Sequence, residues 1–156
     1  MHERERSGRA ITILMADDDE DDRELARDAL GDERLAERMR FVVDGQDLLD
    51  YLRHEGSYAG KPGASPRPSV ILLDLNMPRK DGREALAEIK GDNSLRWIPV
   101  VVLTTSNDEQ DIMKAYDLGA SSFITKPVTQ AKLADVMSTV ATYWSEVVEL
   151  PDPADS

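Results

Sequence analysis

The sequence predicts a doubly wound α/β fold, in which a five-stranded parallel sheet is flanked by five helices. The first observation is that short apolar runs, such as residues 70–73 and 100–103, lack polar alternation and are typical of parallel strands covered on both faces. The second is that each run is followed by a segment with helical periodicity. Strands that alternate with helices form parallel sheets with right-handed crossovers.

The first half of the chain predicts two strands, two helices and a loop. Strand one is expected at 10–16, and a helix then begins at Asp19 or Glu20, with acidic residues at its amino end, where the helix dipole favours them. This helix ends by Gly31. The Gly- and Pro-rich stretch 56–68 predicts a loop. Strand two is expected at 41–43 and helix two at 45–55, and the inward-facing helical residues are expected to be Leu25, Ala29, Leu30, Leu48, Leu49 and Leu52.

The second half predicts three strands and three helices. Ser106 and Glu109 have the spacing of a capping box at the start of helix four, and Gly119 is a stop signal at its end. Thr129 is the N-cap candidate of a last helix that continues past Trp144. The other elements are expected at 70–73, 82–90, 100–103 and 122–125, and the inner face of helix four is expected to carry Ile112, Ala115 and Leu118.

Composition limits the function classes. With 156 residues we expect one folded domain at 10–148, a flexible N-terminus at 1–9 and a tail at 149–156. The chain has no cysteine, which excludes disulfides, thiol catalysis and Cys-ligated zinc. A net charge of −12 disfavours nucleic acid as a partner, and no apolar stretch is long enough to span a membrane. We therefore expect a cytoplasmic protein.

Acidic residues follow two of the predicted strands. Asp17 and Asp18 follow strand one and Asp74 follows strand three, so the three carboxylates are expected at one edge of the sheet. Two carboxylates ~5 Å apart repel by roughly 3 kcal/mol at an effective dielectric near 20, so the cluster must bind protons or a cation. Mg²⁺ is the cation that fits best. Each acidic stretch alone is also compatible with a helix cap or turn.

These residues, together with Thr104 after strand four and Lys126-Pro127 after strand five, resemble the receiver domains of two-component response regulators. The resemblance covers about residues 10 to 145. It implies a flavodoxin-like receiver fold and a phosphoryl group accepted by Asp74 from a sensor histidine kinase. The metal site that it implies is formed by Asp18 and Asp74 directly, by Asp17 through water, and by the backbone carbonyl of Asn76.

The resemblance also assigns roles to the other strand ends. Lys126 would pair with a phosphoryl oxygen, the Thr104 hydroxyl would donate to another, and the Lys126–Pro127 peptide bond would be cis. Thr104 and Phe123 would form the switch, although Phe123 stands where many receivers carry Tyr. Thr105 stands where a smaller residue is frequent, and its branched side chain would narrow access to the phosphorylated aspartate. Asp19 and Asp21 are interpreted as helix-start acids, and His2 and His54 as solvent-facing residues.

Three further stretches resemble the single-domain response regulators that partner phytochrome photoreceptor kinases. They are the run 72–84, the Pro-rich loop before strand three and the end 143–151. We therefore expect a histidine kinase, possibly a bacterial phytochrome, as the partner. Output is expected through protein contacts or a phosphorelay, because the short tail leaves no room for a DNA-binding module.

Two alternative functions remain open from the sequence. One is a Mg²⁺-dependent phosphohydrolase, in which Asp74 would turn over as a nucleophile, although Asn76 stands where haloacid-dehalogenase-like enzymes carry a second Asp. The other is a degenerate receiver that serves only as a binding scaffold.

The last helix predicts a homodimer. Leu133, Val136, Val140, Tyr143 and Val147 recur at spacings of three and four residues. Tyr143, Trp144 and Val147 extend beyond the end of a compact domain and are expected to form the dimer interface. The alternative is that they fold back on their own domain.

Overall fold

The computed structural model describes residues 12–30, 39–105 and 109–135. Its sheet has five strands in the order β2-β1-β3-β4-β5, and every neighbouring pair is parallel. The strands are β1 (Ile13–Ala16), β2 (Met39–Val42), β3 (Val70–Asp74), β4 (Val100–Thr104) and β5 (Ser122–Thr125). This is the doubly wound α/β fold that the sequence predicted.

Helices alternate with the strands along the chain. They are α1 (Glu20–Leu30), α2 (Gly45–Arg53), α3 (Gly82–Lys90), α4 (Glu109–Asp117) and α5, whose described part is 130–135. The predicted loop at 56–68 contains two short 3-10 turns, Gly56–Tyr58 and Pro62–Ala64. Among the described residues, no helix combines the length and apolar character that crossing a bilayer requires.

Hydrophobic clusters cover both faces of the sheet, because successive side chains of a strand point to opposite faces. Leu14, Ile71 and Val102 pack with α2 and α3 on one face. Met15 and Leu72 belong to the cluster on the other face, which α1 and Leu133 of α5 cover. The central strands β1, β3 and β4 are buried along their whole length, which explains their continuous apolar sequence.

Most predicted elements are confirmed, with small shifts at their ends. Strands β3 and β4 each extend one residue further than expected, to Asp74 and Thr104. Strand β2 begins at Met39 and ends before Val43, which is exposed. Helix α2 ends at Arg53, because His54 adopts a left-handed conformation with φ of 56° and closes the helix.

The prediction that Leu25 lies on the inner face of α1 is wrong. Leu25 is 45% exposed, whereas Ala26 is fully buried and packs with the partly buried Ala29. Small residues at positions three apart form the contact face here, because they let α1 approach the sheet closely. Leu48, Leu49 and Leu52 of α2 are buried, as predicted.

Thr129 begins α5 as expected, since the Lys132 N–H donates to its Oγ1 at 3.2 Å. Several expectations concern residues outside the described part of the chain. These are the capping box, because Ser106 lies outside that part, the terminal segments 1–9 and 149–156, and the interface residues Tyr143, Trp144 and Val147. They stay predictions.

Candidate functional site

The carboxyl ends of four adjacent strands bring the predicted polar residues together. Asp74 and Thr104 are the last residues of β3 and β4, while Asp17 and Lys126 directly follow β1 and β5. Asp17, Asp18 and Asp74 each offer a carboxylate oxygen, and these oxygens all lie within 4.8 Å of one another. The shared edge that parallel strands produce therefore forms one acidic site.

The site is a cleft of about 510 Å³ that opens between these strand ends. It is lined by Asp18, Asp19, Asp22, Asp74, Asn76, Thr105, Lys126 and Pro127. Its lining is therefore dominated by carboxylates that face one lysine.

Asp74 is held in a defined orientation at the base of this cleft. Its side chain is buried, with only 4% of the residue exposed. The Asn76 N–H donates to its Oδ1 at 3.0 Å, and the Lys126 ammonium donates to its Oδ2 at 3.1 Å. Both carboxylate oxygens thus have a donor that fixes them, which suits a nucleophile aimed at the cleft.

Lys126 contacts three carboxylates at once. Its Nζ lies 2.8 Å from Oδ2 of Asp22, 3.0 Å from Oδ2 of Asp17 and 3.1 Å from Oδ2 of Asp74. Burial alone would lower the pKa of Lys126, but Asp22 and Asp17 raise it well above its ordinary value. The site therefore holds a permanent positive charge beside the acidic cluster.

Asp17 is the most deeply buried carboxylate of the cluster. The residue is fully buried, and its Oδ1 accepts from the Asp19 N–H at 2.9 Å. Its Oδ2 forms an ion pair with the Lys126 ammonium at 3.0 Å, without the geometry of a hydrogen bond. Burial raises the pKa of Asp17 to about 6, although the Asp19 N–H and Lys126 oppose this shift.

The donor set fits a hard divalent cation. The buried Asp17 carboxylate shares one ammonium with Asp22 and Asp74, so a divalent cation would offset the remaining negative charge. The cluster also includes Asp18, which is exposed at the cleft and accessible to an ion entering from solvent. Oxygen ligands of this kind suit Mg²⁺ or Mn²⁺.

Hydrogen bonds hold the first turn of α1 beside the site. Asp19 caps the helix, because its Oδ1 accepts from the N–H of Asp21 at 2.8 Å and of Asp22 at 3.4 Å. The Arg23 guanidinium donates to the Asp17 carbonyl at 2.7 Å. Asp19 and Asp21 thus lie at the helix start, as the sequence predicted.

Sequence reasoning missed Asp22. It lies within a run of acidic residues at a helix start, where solvated charges are common. Helical spacing does not relate it to Asp18, which precedes the capping residue Asp19, so no local signal singled out Asp22.

The loop between β3 and α3 is clamped to the start of α2. Arg79, at a left-handed φ of 66°, binds both carboxylate oxygens of Asp44, at 2.7 and 3.0 Å. The Gly45 N–H donates to the Lys80 carbonyl at 2.9 Å, and a Cβ on Gly45 would lie only 2.0 Å from that oxygen. This clamp positions the segment that contains Asn76.

Gly82 allows a similarly close approach directly beside the phosphoacceptor candidate. Its N–H donates to the Leu75 carbonyl at 3.0 Å. A Cβ on Gly82 would lie 2.3 Å from the carbonyl oxygen of Asp74. Only a residue without a side chain lets α3 begin so near the end of β3.

The remaining predicted residues are located as follows. The Lys126–Pro127 peptide bond is cis. Thr104 is buried at the end of β4, while Thr105 is exposed at the cleft. Phe123 is partly buried and contacts the Tyr116 ring edge to face, at a centroid distance of 6.1 Å.

His54 is not among the residues that line the described cleft. His54 is exposed, as expected, and its Nδ1 lies 2.8 Å from the Ser65 hydroxyl in the 56–68 loop. His2 lies outside the described residues.

Comparison with known proteins gives consistent matches. A family model described as the response regulator receiver domain matches residues 13–138. The response regulator Rcp1 of Synechocystis sp. is 39% identical over 139 residues, which are 89% of this chain and 92% of Rcp1.

Solved structures agree with these matches. The phosphorylated cyanobacterial phytochrome response regulator RcpA superposes with a TM-score of 0.69 and 41% identity, covering 86% of this chain and 94% of RcpA. The Mn²⁺-bound form of Rcp1 has a TM-score of 0.66 and 37% identity, covering 91% of this chain and 99% of Rcp1.

Proposed function

We propose that this chain, which belongs to the response regulator receiver domain family, is a phosphorylation-dependent switch that accepts a phosphoryl group on Asp74. The observation that carries the proposal is the geometry of this carboxylate. It is buried at the base of the cleft, and donors from Asn76 and Lys126 orient its two oxygens. A sensor histidine kinase is the proposed phosphoryl donor.

The proposed reaction is covalent catalysis by a carboxylate. An oxygen of Asp74 attacks the phosphorus of a phosphohistidine, the phosphorus–nitrogen bond breaks, and the nitrogen keeps the electron pair. The product is an acyl phosphate on Asp74. Lys126 pairs with one phosphoryl oxygen, and the hydroxyl of Thr104 donates to another, so both stabilise the charge of the transferred group.

Mg²⁺ is the proposed cofactor of this reaction. Asp18, Asp74 and the carbonyl of Asn76 would hold the ion directly, and Asp17 would do so through water. Support comes from the carboxylate cluster, from the single ammonium that Asp17 and Asp74 share, and from the Mn²⁺-bound form of the relative Rcp1. When bound, the ion neutralises charge on the transferring phosphoryl group.

Phosphorylation by acetyl phosphate tests this reaction directly. The wild type should be labelled in the presence of Mg²⁺, and labelling should disappear with EDTA, with Asp18→Ala and with Asp74→Asn. Undiminished labelling of Asp74→Asn would overturn the assignment of the phosphoacceptor. Undiminished labelling with EDTA would overturn the metal assignment. Steady phosphate release from a phosphomonoester, lost with Asp74→Asn, would instead support the phosphohydrolase alternative.

The proposed partner is a phytochrome-type histidine kinase in the cytoplasm. This rests on the similarity to Rcp1 and to the phytochrome response regulator RcpA. Phosphotransfer from a phytochrome kinase and from unrelated kinases, compared at equal concentrations, tests the partner. Faster transfer from an unrelated kinase would contradict it.

Thr104 and Phe123 are proposed to transmit the phosphorylated state. A phosphoryl group on Asp74 adds an anion that recruits donors at neighbouring strand ends, so α4 and β5 should shift and Phe123 should change its exposure. Thr104→Ala should accept phosphate and yet fail to signal. If Phe123 changed its exposure on phosphorylation of Thr104→Ala as it does in the wild type, this role would be contradicted.

A homodimer built from Tyr143, Trp144 and Val147 is the proposed assembly. Light scattering on the full chain and on a version that ends after Thr142 tests it. A monomeric full chain at micromolar concentration would reject the dimer, and a dimeric truncated chain would place the interface elsewhere.

A further inference from the structure

The shortest of the three contacts made by Lys126 is to a residue outside the strand ends. Its ammonium lies 2.8 Å from Oδ2 of Asp22, which precedes it by 104 residues. The Asp22 side chain is 22% exposed and lines the cleft. Unlike Asp17 and Asp74, Asp22 has no part in the proposed metal site.

In the proposed reaction, the other two partners of this lysine would no longer serve it alone. Asp74 would hold the cation directly and Asp17 would hold it through water, and the phosphoryl group is transferred to Asp74 itself. A lysine carries its charge on a flexible four-carbon chain, so an ammonium without a fixed partner loses its position. Ordering such a chain again costs side-chain entropy.

Asp22 is well placed to prevent this loss. The turn of α1 that contains it is fixed to the sheet edge, because Asp19 caps the helix and Arg23 donates to the Asp17 carbonyl. An ammonium has three donors, so one can remain on Asp22 while the others face the phosphoryl group. The carboxylate thus provides an anchor that is independent of the metal and of phosphorylation.

We propose that Asp22 is a positioning residue, which keeps the ammonium of Lys126 over the cleft during phosphoryl transfer. The inference rests on the proposed function, because it concerns the same lysine and the same phosphoryl group. Asp22 acts through Lys126 and does not itself contact the reacting atoms.

Asp22→Asn and a matched control test this role. The substitution keeps the size of the side chain and removes its charge. Asp21→Asn makes the same charge change in the same turn. Asp21 is exposed, and its N–H donates to the Asp19 carboxylate. The rate of phosphorylation by acetyl phosphate is measured at saturating Mg²⁺, so that a change in metal affinity does not limit it. Unfolding midpoints are measured in parallel.

Asp22→Asn should slow phosphorylation about tenfold, the scale expected when one charge-assisted hydrogen bond is lost. Asp21→Asn should stay within about twofold of the wild type, as exposed substitutions do. Asp22→Glu, which restores the charge, should recover most of the rate. If Asp22 were only structural, Asp22→Asn would lower the unfolding midpoint, and Asp22→Glu would not restore the rate of phosphorylation.

The results separate this inference from the proposed function. If the wild type is labelled on Asp74 and Asp22→Asn matches Asp21→Asn, the positioning role is overturned while the proposed function stands. Equal losses in Asp22→Asn and Asp22→Glu also overturn the positioning role. If Asp74→Asn is labelled like the wild type, the proposed function itself fails.

Discussion

Asp17→Asn is expected to stabilise the metal-free protein while removing a residue of the proposed metal site. Asp17 is fully buried, and its Oδ2 shares the Lys126 ammonium with Asp22 and Asp74. Without a cation, the charged form of this side chain is therefore costly. An asparagine has the same size, carries no charge and can still accept from the Asp19 N–H.

The size of the effect follows from the pKa of Asp17. Burial raises this pKa from 3.8 to about 6, so the charged form is disfavoured by about 3 kcal/mol in the folded protein. This is an upper limit, because asparagine places an amide beside the Lys126 ammonium. We expect a gain of about 1–3 kcal/mol in the free energy of unfolding at neutral pH, or about 2–4 °C per kcal/mol in a domain of this size.

The pH dependence has a defined sign. Because the folded-state pKa lies above that of the unfolded chain, the folded protein binds the Asp17 proton more tightly than the unfolded chain does. This contribution to stability is complete below pH 3.8 and is lost as the pH rises through about 6. The difference in the free energy of unfolding between Asp17→Asn and the wild type should therefore increase from pH 3.8 to about 6 and stay constant above that pH.

Urea titrations in EDTA measure this prediction, provided that the slopes of wild type and variant agree. Asp21→Asn is the matched control, since it removes one charge from a chain of net charge −12 at an exposed position. A variant less stable than the wild type, or a gain of equal size in Asp21→Asn, would refute the reasoning. Added Mg²⁺ should reduce the difference in the free energy of unfolding, because it stabilises the wild type more than Asp17→Asn.

Three further predictions concern residues around the site. Gly82→Ala should lower the free energy of unfolding by about 1–3 kcal/mol, because its Cβ would lie 2.3 Å from the carbonyl oxygen of Asp74; a change within experimental error would contradict this close approach. Thr105→Ala should shorten the lifetime of the phosphorylated protein, followed by loss of label, because Thr105 lies at the cleft and crowds the path of water. An unchanged or longer lifetime would refute this steric explanation. Asp44→Ala should cost about 1–2 kcal/mol in urea titrations, because Asp44 caps α2 and binds Arg79, whereas Asp44→Asn can still cap and should cost less. Equal losses of stability in Asp44→Ala and Asp44→Asn would assign the effect to the ion pair with Arg79.

Much of the fold was predictable because its signals are local. Continuous apolar runs identified β3 and β4, and the helical periodicity of 45–55 correctly placed Leu48, Leu49 and Leu52 in the core. The site was predictable for a related reason. In a parallel sheet all strands end at the same edge, so a polar residue directly after a strand has a known position before any contact is known.

The sequence prediction was wrong where the local pattern allowed more than one orientation of a helix and tertiary packing determined which one forms. The helical pattern of α1 allowed Leu25 to face inward, but tertiary contacts buried Ala26 instead and left Leu25 exposed. Arg27 from the same helix lies over the Phe41 ring, 4.7 Å from its centroid, which helps to set the rotation of α1 against β2. Helix rotation depends on the shape of the partner surface, which no local pattern contains.

The sequence by itself determined the order of strands and helices and the side chains at the strand ends. Only the tertiary structure decided which of these groups meet. The contact between Asp22 and Lys126 joins residues 104 positions apart, and it depends on how α1 sits on the edge of the sheet. The clamp of Arg79 on Asp44, 35 positions away, likewise depends on two loops that the fold brings together. Periodicity specifies which face of an element is apolar, whereas distances between side chains of different elements are set by register and packing.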